Sequence, residues 1–101
     1  MSEIRKNTEE TRYEILVDGA VVGFAEYEVD GDTVTAPHTE VDPDHGGKGY
    51  AGKIVEQLLA DASSAGQDVL PVCPYVASYI GKHPEYLELV PEEQRARFRL
   101  A

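Results

Sequence analysis

Three histidines and one cysteine are the side chains of this 101-residue chain best suited to proton or group transfer near neutral pH. His38 stands in Ala36-Pro37-His38-Thr39-Glu40-Val41, and Cys73 in Val69-Leu70-Pro71-Val72-Cys73-Pro74. A histidine titrates near neutrality and can take a proton from an attacking amine, directly or through water. A thiol can attack as a nucleophile, or return a proton to a leaving group, where a base or a helix start favours its thiolate. Glu40 is a second candidate base. It stands two residues from His38, so the two share one face of a regular strand unless a bulge near Pro37 separates them. The same residue types also serve a fold, the cysteine as a small buried hydrophobe and the glutamate as a solvated side chain. His83 precedes Pro84 in a turn, where a structural histidine is the simpler reading. No pair among the histidines and the cysteine has close ligand spacing, so no metal site is expected.

The second feature with chemical content is Asp42-Pro43-Asp44-His45-Gly46-Gly47-Lys48-Gly49, a turn-rich loop ahead of a helical stretch. A helix start offers free backbone N–H groups and the positive end of the helix dipole. Glycines let a phosphate or pyrophosphate approach them without side-chain charge. The loop lacks the glycine-lysine-serine/threonine ending of a Walker loop and the three spaced glycines of a dinucleotide fingerprint. His45 lies inside it as a candidate contact.

These residues need a scaffold, and the pattern supplies one. Thr11 to Val17 and Val21 to Val29 read as strands joined at Asp18-Gly19, which makes 11–29 a hairpin. Asp30-Gly31-Asp32 turns into a third β-rich run, Thr33 to Val41, so the simplest arrangement is an antiparallel meander. Pro37 cannot donate to a ladder and predicts a bulge or edge just before His38. Residues 1–10 are polar and without period, a short flexible tail or a frayed first strand. From near Lys48 the chain is helical: Ala51, Ile54, Val55, Leu58, Leu59 and Ala62 recur on one face, and Ala65-Gly66 ends it. Val69 to Cys73 reads as a short strand, Tyr75 to Lys82 as a short helix, and Pro91 to Leu100 as a last helix. Tyr75, Tyr79 and Tyr86 fit the core or its rim, with Tyr75 or Tyr79 able to line a cleft. Glu92 and Glu93 beside Arg95, Arg97 and Arg99 read as a solvated face. The class is α+β, in one domain.

Nineteen acidic against nine basic side chains give a net charge of −10. Such a field repels nucleic acid and anionic membrane and favours amines, polyamines or basic peptide segments. An anionic ligand therefore needs a local site that overrides it. A lone cysteine rules out an internal disulfide framework and suits a reducing compartment. With no apolar run of about 20 residues and no apolar signal core at the start, a cytoplasmic protein is expected.

Taken together, Thr39-Glu40-Val41-Asp42-Pro43-Asp44-His45-Gly46-Gly47-Lys48-Gly49-Tyr50-Ala51, the amphipathic helix and the strand after it resemble the acetyl-CoA-binding motif of the GNAT N-acetyltransferase superfamily. More narrowly, His38-Thr39-Glu40-Val41, Pro71-Val72-Cys73-Pro74-Tyr75-Val76 and His83-Pro84-Glu85-Tyr86 resemble the small, single-domain YjdJ-type acetyltransferases. The resemblance implies a minimal GNAT-like fold with strands 33–41 and 69–73 splayed around the pantetheine arm of acetyl-CoA. It also implies that Val41 pairs its backbone with that arm and that amides from Gly46 through Gly47, Lys48, Gly49 and Tyr50 to Ala51 hold the pyrophosphate, with His45 and Tyr79 as further contacts. Four positions depart from the pattern, among them Cys73, which stands where an asparagine is common after the late strand. Asp44 stands where glutamine or arginine is common, and Gly46 replaces a central arginine, so Lys48 and Lys53 are expected to compensate. Ile80 occupies the place of the usual tyrosine acid, with Tyr79 beside it.

The function so implied is acetyl-CoA-dependent N-acetyl transfer to an amine, with His38 as base, Glu40 as second base and Cys73 at the thioester end. Only Asp18-Gly19-Ala20 separates the first two strands, where full-size members carry two helices, so an open acceptor site is expected. A protein or peptide amine, a lysine or a polyamine would suit it. The alternative is a CoA-binding module without turnover, acting as sensor or interaction partner. The expected assembly is a monomer or a weak homo-oligomer.

Overall fold

The computed structural model describes residues 2–100. Strand β1 (Ser2–Asn7) runs antiparallel to β2 (Arg12–Val17), pairing Ile4 with Ile15. Of the two expectations for residues 1–10, a flexible tail or a frayed first strand, the strand holds over residues 2–7, while Met1 lies outside the described residues. Ile4 is its one large apolar side chain, so backbone pairing rather than side-chain periodicity holds it. Asp18 and Gly19, both at positive φ (52° and 85°), join β2 to β3 (Ala20–Glu26), the conformation that matches a hairpin to strand twist. A bulge shifts the β2–β3 register between Ile15 and Leu16.

The meander then divides. Buried Tyr27 separates β3 from β4 (Glu28–Asp30), and Ala36–His38 separate β5 (Thr33–Thr35) from β6 (Thr39–Val41). The single strand read over 33–41 is thus two strands, parted where Pro37 interrupts donation. β6 closes an antiparallel sheet in the order β1-β2-β3-β6. β4 and β5 belong to a second sheet with β7 (Asp68–Leu70), which runs parallel to β5. The result is the expected α+β fold with mostly antiparallel pairing.

Helix α1 (Tyr50–Ser64) begins two residues after Lys48 and buries Ile54, Val55, Leu58, Leu59 and Ala62, the face read from spacing, with Ala51 half-buried. It packs across β1, β2, β3, β6 and β7. Gly66, at φ 69°, follows its end. Helix α2 (Pro74–Lys82) buries Val76 and Ile80 and packs beside α1. The last helix expected over 91–100 is replaced by two short 3-10 turns, Glu92–Gln94 and Ala96–Phe98, after another at Pro84–Leu89. Phe98 and Leu100 are the apolar anchors of that segment, too few for a marginal ten-residue helix. Arg99 in the left-handed region (φ 61°) closes the second turn. No helix among the described residues is long and apolar enough to cross a membrane.

Candidate active site

The two sheets fork at one place. The Ala36 N–H donates to Leu70 O at 3.0 Å and the Cys73 N–H donates to Ala36 O at 2.8 Å, so the strands stay side by side as far as Ala36. Beyond Pro37 the chain pairs only with β3, and the Val72 N–H turns back to Leu70 O at 3.0 Å. The two sheets therefore part after Ala36, where residues 39–41 leave β7 for β3, as expected of strands 33–41 and 69–73 splaying apart.

Hydrogen-bond alternation fixes what faces that gap. His38 O accepts from the Glu26 N–H at 2.8 Å and the Asp42 N–H donates to Val22 O at 2.7 Å, so the even-numbered residues bond toward β3. The backbone groups of Thr39 and Val41 therefore turn to the unpaired edge. Thr39 Oγ1 is buried without a hydrogen-bond partner, an orphan of the kind that a bound polar group relieves.

The loop after β6 delivers the start of α1 to the same end of the fork. Asp42 caps its first turn: a side-chain oxygen accepts from the Asp44 N–H at 2.9 Å, and Asp42 O accepts from the His45 N–H at 2.8 Å. The Gly46 N–H reaches Pro43 O at 3.3 Å, so three amides of the loop are engaged within it. Gly47 and Gly49 both sit at φ 77°, with nothing within 4 Å of where a Cβ would stand. The first backbone bond into α1 runs from the Lys53 N–H to Gly49 O at 3.2 Å. The amides of Tyr50, Ala51 and Gly52 consequently have no intrahelical acceptor. No side chain caps this helix and no acidic residue stands in its first turn, so its dipole end is uncompensated. His45 Nδ1 is a second buried orphan, with its ring 6.2 Å from that of Tyr50. Lys53 Nζ donates to Ser2 Oγ at 3.3 Å rather than to an acidic group of the loop.

His38 and Glu40 come together. His38 Nε2 and Glu40 Oε1 are 3.2 Å apart, on side chains 51% and 63% exposed. Glu40 lies on the face of β6 it shares with Phe24 and Glu14, and His38 stands just before that strand. The strand break at Pro37 leaves them on one side. The residues behind them were not legible as a site. Arg5, Glu14, Phe24 and Glu40 face one another across four strands. Glu14 is 1% exposed and accepts from Arg5, from Arg12 Nε at 2.8 Å and from Asn7 at 3.3 Å. Burial alone would raise its carboxyl pKa; the donors from Arg5, Arg12 and Asn7 outweigh burial and hold it below the usual range. The Arg12 guanidinium lies 4.6 Å over the Phe24 ring, and that ring lies 5.9 Å from the His38 imidazole. Period-two spacing of Arg12 with Glu14 was the available signal, but the strand partners are set by pairing.

Cys73 is placed differently. Its side chain is buried in the core cluster with Val76, Ile80 and Val90, and no hydrogen bond joins it to His38 among the described residues. Tyr75 and Tyr79 lie against the first turn of α1: a Cβ at Gly52 would stand 3.5 Å from Tyr75 Oη and from Tyr79 Cε2. Tyr79 donates to Glu56 at 3.1 Å and stacks on His83, whose Nδ1–H donates to Tyr79 O at 2.9 Å. Burial first, then the bond to Glu56, pushes the Tyr79 phenol up to about 12.

Comparison with known proteins meets this geometry from outside. The sequence model of a family described as GCN5-related N-acetyl-transferase matches residues 12–89. The NMR solution structure of a GCN5-like protein from Staphylococcus aureus superposes with a TM-score of 0.69 at 20% identity, over 88% of this chain and 87% of that one. The ribosomal-protein-S18-alanine N-acetyltransferase from Escherichia coli gives a TM-score of 0.56 at 24% identity, over 57% of this chain and 38% of that one. N-acetylglutamate synthase from Neisseria gonorrhoeae, complexed with coenzyme A and N-acetyl-glutamate, gives 0.53 at 17% identity, over 88% of this chain and 22% of that one. At such identities the likeness is one of fold, and the chain spans well under half the length of the last two. A search of curated proteins finds no match.

Proposed function

Because this chain belongs to the GCN5-related N-acetyltransferase family, whose sequence model matches residues 12–89, we propose that it transfers the acetyl group of acetyl-CoA to an amine. One observation carries this reading: an unpaired strand edge at Thr39 and Val41 opens beside an uncapped helix start. Acetyl-CoA, when bound, supplies an activated acyl carbonyl. The residues present fit it. Thr39 and Val41 offer backbone donors and acceptors to an extended arm, and the amides from Gly47 to Gly52 offer donors to a pyrophosphate. The orphaned Thr39 Oγ1 and His45 Nδ1 gain a partner.

The base is His38. Glu40 holds the proton on Nε2, which leaves Nδ1 to take a proton from the acceptor amine, directly or through water. Glu40 orients the ring and serves as the second carboxylate at the site. The amine nitrogen bonds to the acyl carbon as the amine proton passes to His38, the carbon–sulfur bond breaks, and the departing CoA thiolate takes up a proton, from His38 or water, to leave as free thiol. Cys73 walls the thioester end from within the core, and attack is direct. Family membership favours turnover over the binding-module reading.

The test is acetyl transfer itself. Acetyl-CoA with a panel of primary amines yields free thiol and an acetylated amine detected by mass, and His38→Ala suppresses both. Tight acetyl-CoA binding with no transfer to any amine would instead favour the module.

A further inference from the structure

Helix α2 presents three faces. Val76 and Ile80 are buried in the core, and Tyr75 and Tyr79 lie against the first turn of α1. The third face carries Pro74, Ala77, Ser78 and Gly81 at helical spacing. Between that face and Arg97–Leu100 lies a groove of about 670 Å³, within the roughly 300–1,000 Å³ that small-molecule sites span. Val72, Pro74, Phe98 and Leu100 give it an apolar lining, and Arg97 and Arg99 supply its charge. None of the nineteen acidic residues lines it, so it is a cationic spot on a chain of net charge −10.

The turn that presents the two arginines is built at a cost. The Leu100 N–H donates to Arg95 O at 2.8 Å and the Arg99 N–H to Ala96 O at 3.1 Å, the paired bonds of a Schellman cap, whose left-handed residue is ordinarily glycine. Here that residue is Arg99, at φ 61°. Glycine would hold the turn without strain. Among the described residues the Arg99 side chain makes no hydrogen bond or ion pair that offsets the cost. Arg97 is already oriented: its guanidinium lies 4.9 Å over the Phe98 ring, and Nη1 donates to Gln94 Oε1 at 3.4 Å. Neither arginine meets a carboxylate among the described residues. We propose that this groove binds an amphipathic organic acid, with the carboxylate at Arg97 and Arg99 and an unbranched apolar stem along Val72, Pro74, Phe98 and Leu100. The planar guanidinium fork matches a carboxylate, and the apolar lining gains by covering a stem. The site uses another face of α2 than Tyr75 and Tyr79, and it stands whether or not the chain transfers acetyl groups.

The experiment is an NMR titration of the full chain with octanoate, octanol, octylamine and inorganic phosphate, without acetyl-CoA. Octanoate is expected to bind with a Kd below about 1 mM, with amide shifts centred on residues 72–81 and 97–100. Octanol, with the same stem and no charge, binds about tenfold more weakly, and octylamine does not bind there. Arg99→Gly relieves the left-handed strain, so its unfolding midpoint stays at or above the parent value while octanoate weakens about tenfold. A merely structural arginine would instead lower the midpoint. Arg97→Gln weakens octanoate in the same direction. No shift at about 5 mM octanoate, shifts centred elsewhere, octanol or octylamine binding as tightly, or unchanged affinity in both variants overturns the proposal. Inorganic phosphate shifting the same amides with equal affinity also overturns it, as the mark of an adventitious ion only.

Discussion

Glu40 Oε1 on β6 accepts a hydrogen bond from Nε2 of His38, the residue just before that strand, at 3.2 Å where the two sheets part. Both side chains are at least half exposed, so their loss costs the fold little. His38→Ala is expected to lower kcat by about 10²–10⁴-fold while stability stays within about 0.5 kcal/mol. Glu40→Gln, which keeps the shape and loses the charge, lowers kcat less. Steady-state rates beside thermal unfolding of each variant check the pair.

Cys73 is 5% exposed and packed in the core. Direct attack needs no acetyl group on its sulfur. Cys73→Ala is therefore expected to retain most of the transfer rate and to lose about 1 kcal/mol of stability from the small cavity. Intact mass after incubation with acetyl-CoA checks the same point, with the protein expected at its unmodified mass.

Glu14 sets the acid limit. Its carboxyl pKa is lowered in the folded chain: burial opposes ionisation, and Arg5, Arg12 and Asn7 more than offset it. A depressed carboxylate stabilises above its unfolded value, about 4.3, and that contribution is lost as pH falls through the folded value. Glu14→Gln is expected to cost about 1–3 kcal/mol at pH 7, and the gap to the parent protein narrows below pH 4. Denaturant melts across that range measure it.

Gly49 and Gly19 separate local strain from ligand binding. Both have positive φ, 77° and 85°, with open space where a Cβ would stand. Alanine at either site costs about 1 kcal/mol. Only Gly49→Ala should also weaken acetyl-CoA, because only Gly49 sets the direction of the amides that start α1. Calorimetric titration of the two variants distinguishes them.

Tyr79 is expected to stay out of the pH profile. Burial and the bond to Glu56 push its phenol up to about 12, so it remains protonated throughout an ordinary assay range. A raised tyrosine stabilises fully below its unfolded value near 10, and that contribution disappears as pH rises through about 12. Tyr79→Phe should leave the pH dependence of kcat between pH 6 and 9 unchanged, which rate profiles test directly.

Sequence reading reached the parts of this fold that local chemistry dictates. The buried face of α1 follows from side-chain spacing, the β2–β3 hairpin from Asp18-Gly19, and the break before His38 from Pro37. The parts it missed depend on long-range pairing. β1 shows no period because its polar side chains alternate around Ile4 alone. Residues 91–100 form short turns because two apolar anchors do not carry a helix. Glu14 gave no sign of burial, since its donors come from another strand and from Arg12, two positions away. The His38–Glu40 pair was legible because the two stand two residues apart in nearly extended chain at the start of β6. The depression beside the pair was not, because its walls come from β2, β3, β6 and the following turn.

Acetyl transfer requires that the fork and the start of α1 hold acetyl-CoA. Thermal unfolding titrated with acetyl-CoA, CoA and ATP measures this most directly, since a ligand at 100 times its Kd adds about 2.7 kcal/mol. The midpoint should rise by several degrees with both CoA compounds and by clearly less with ATP, whose phosphates can use the helix start but whose body cannot pair along Thr39 and Val41. No rise with millimolar acetyl-CoA, or an equal rise with ATP, would contradict it.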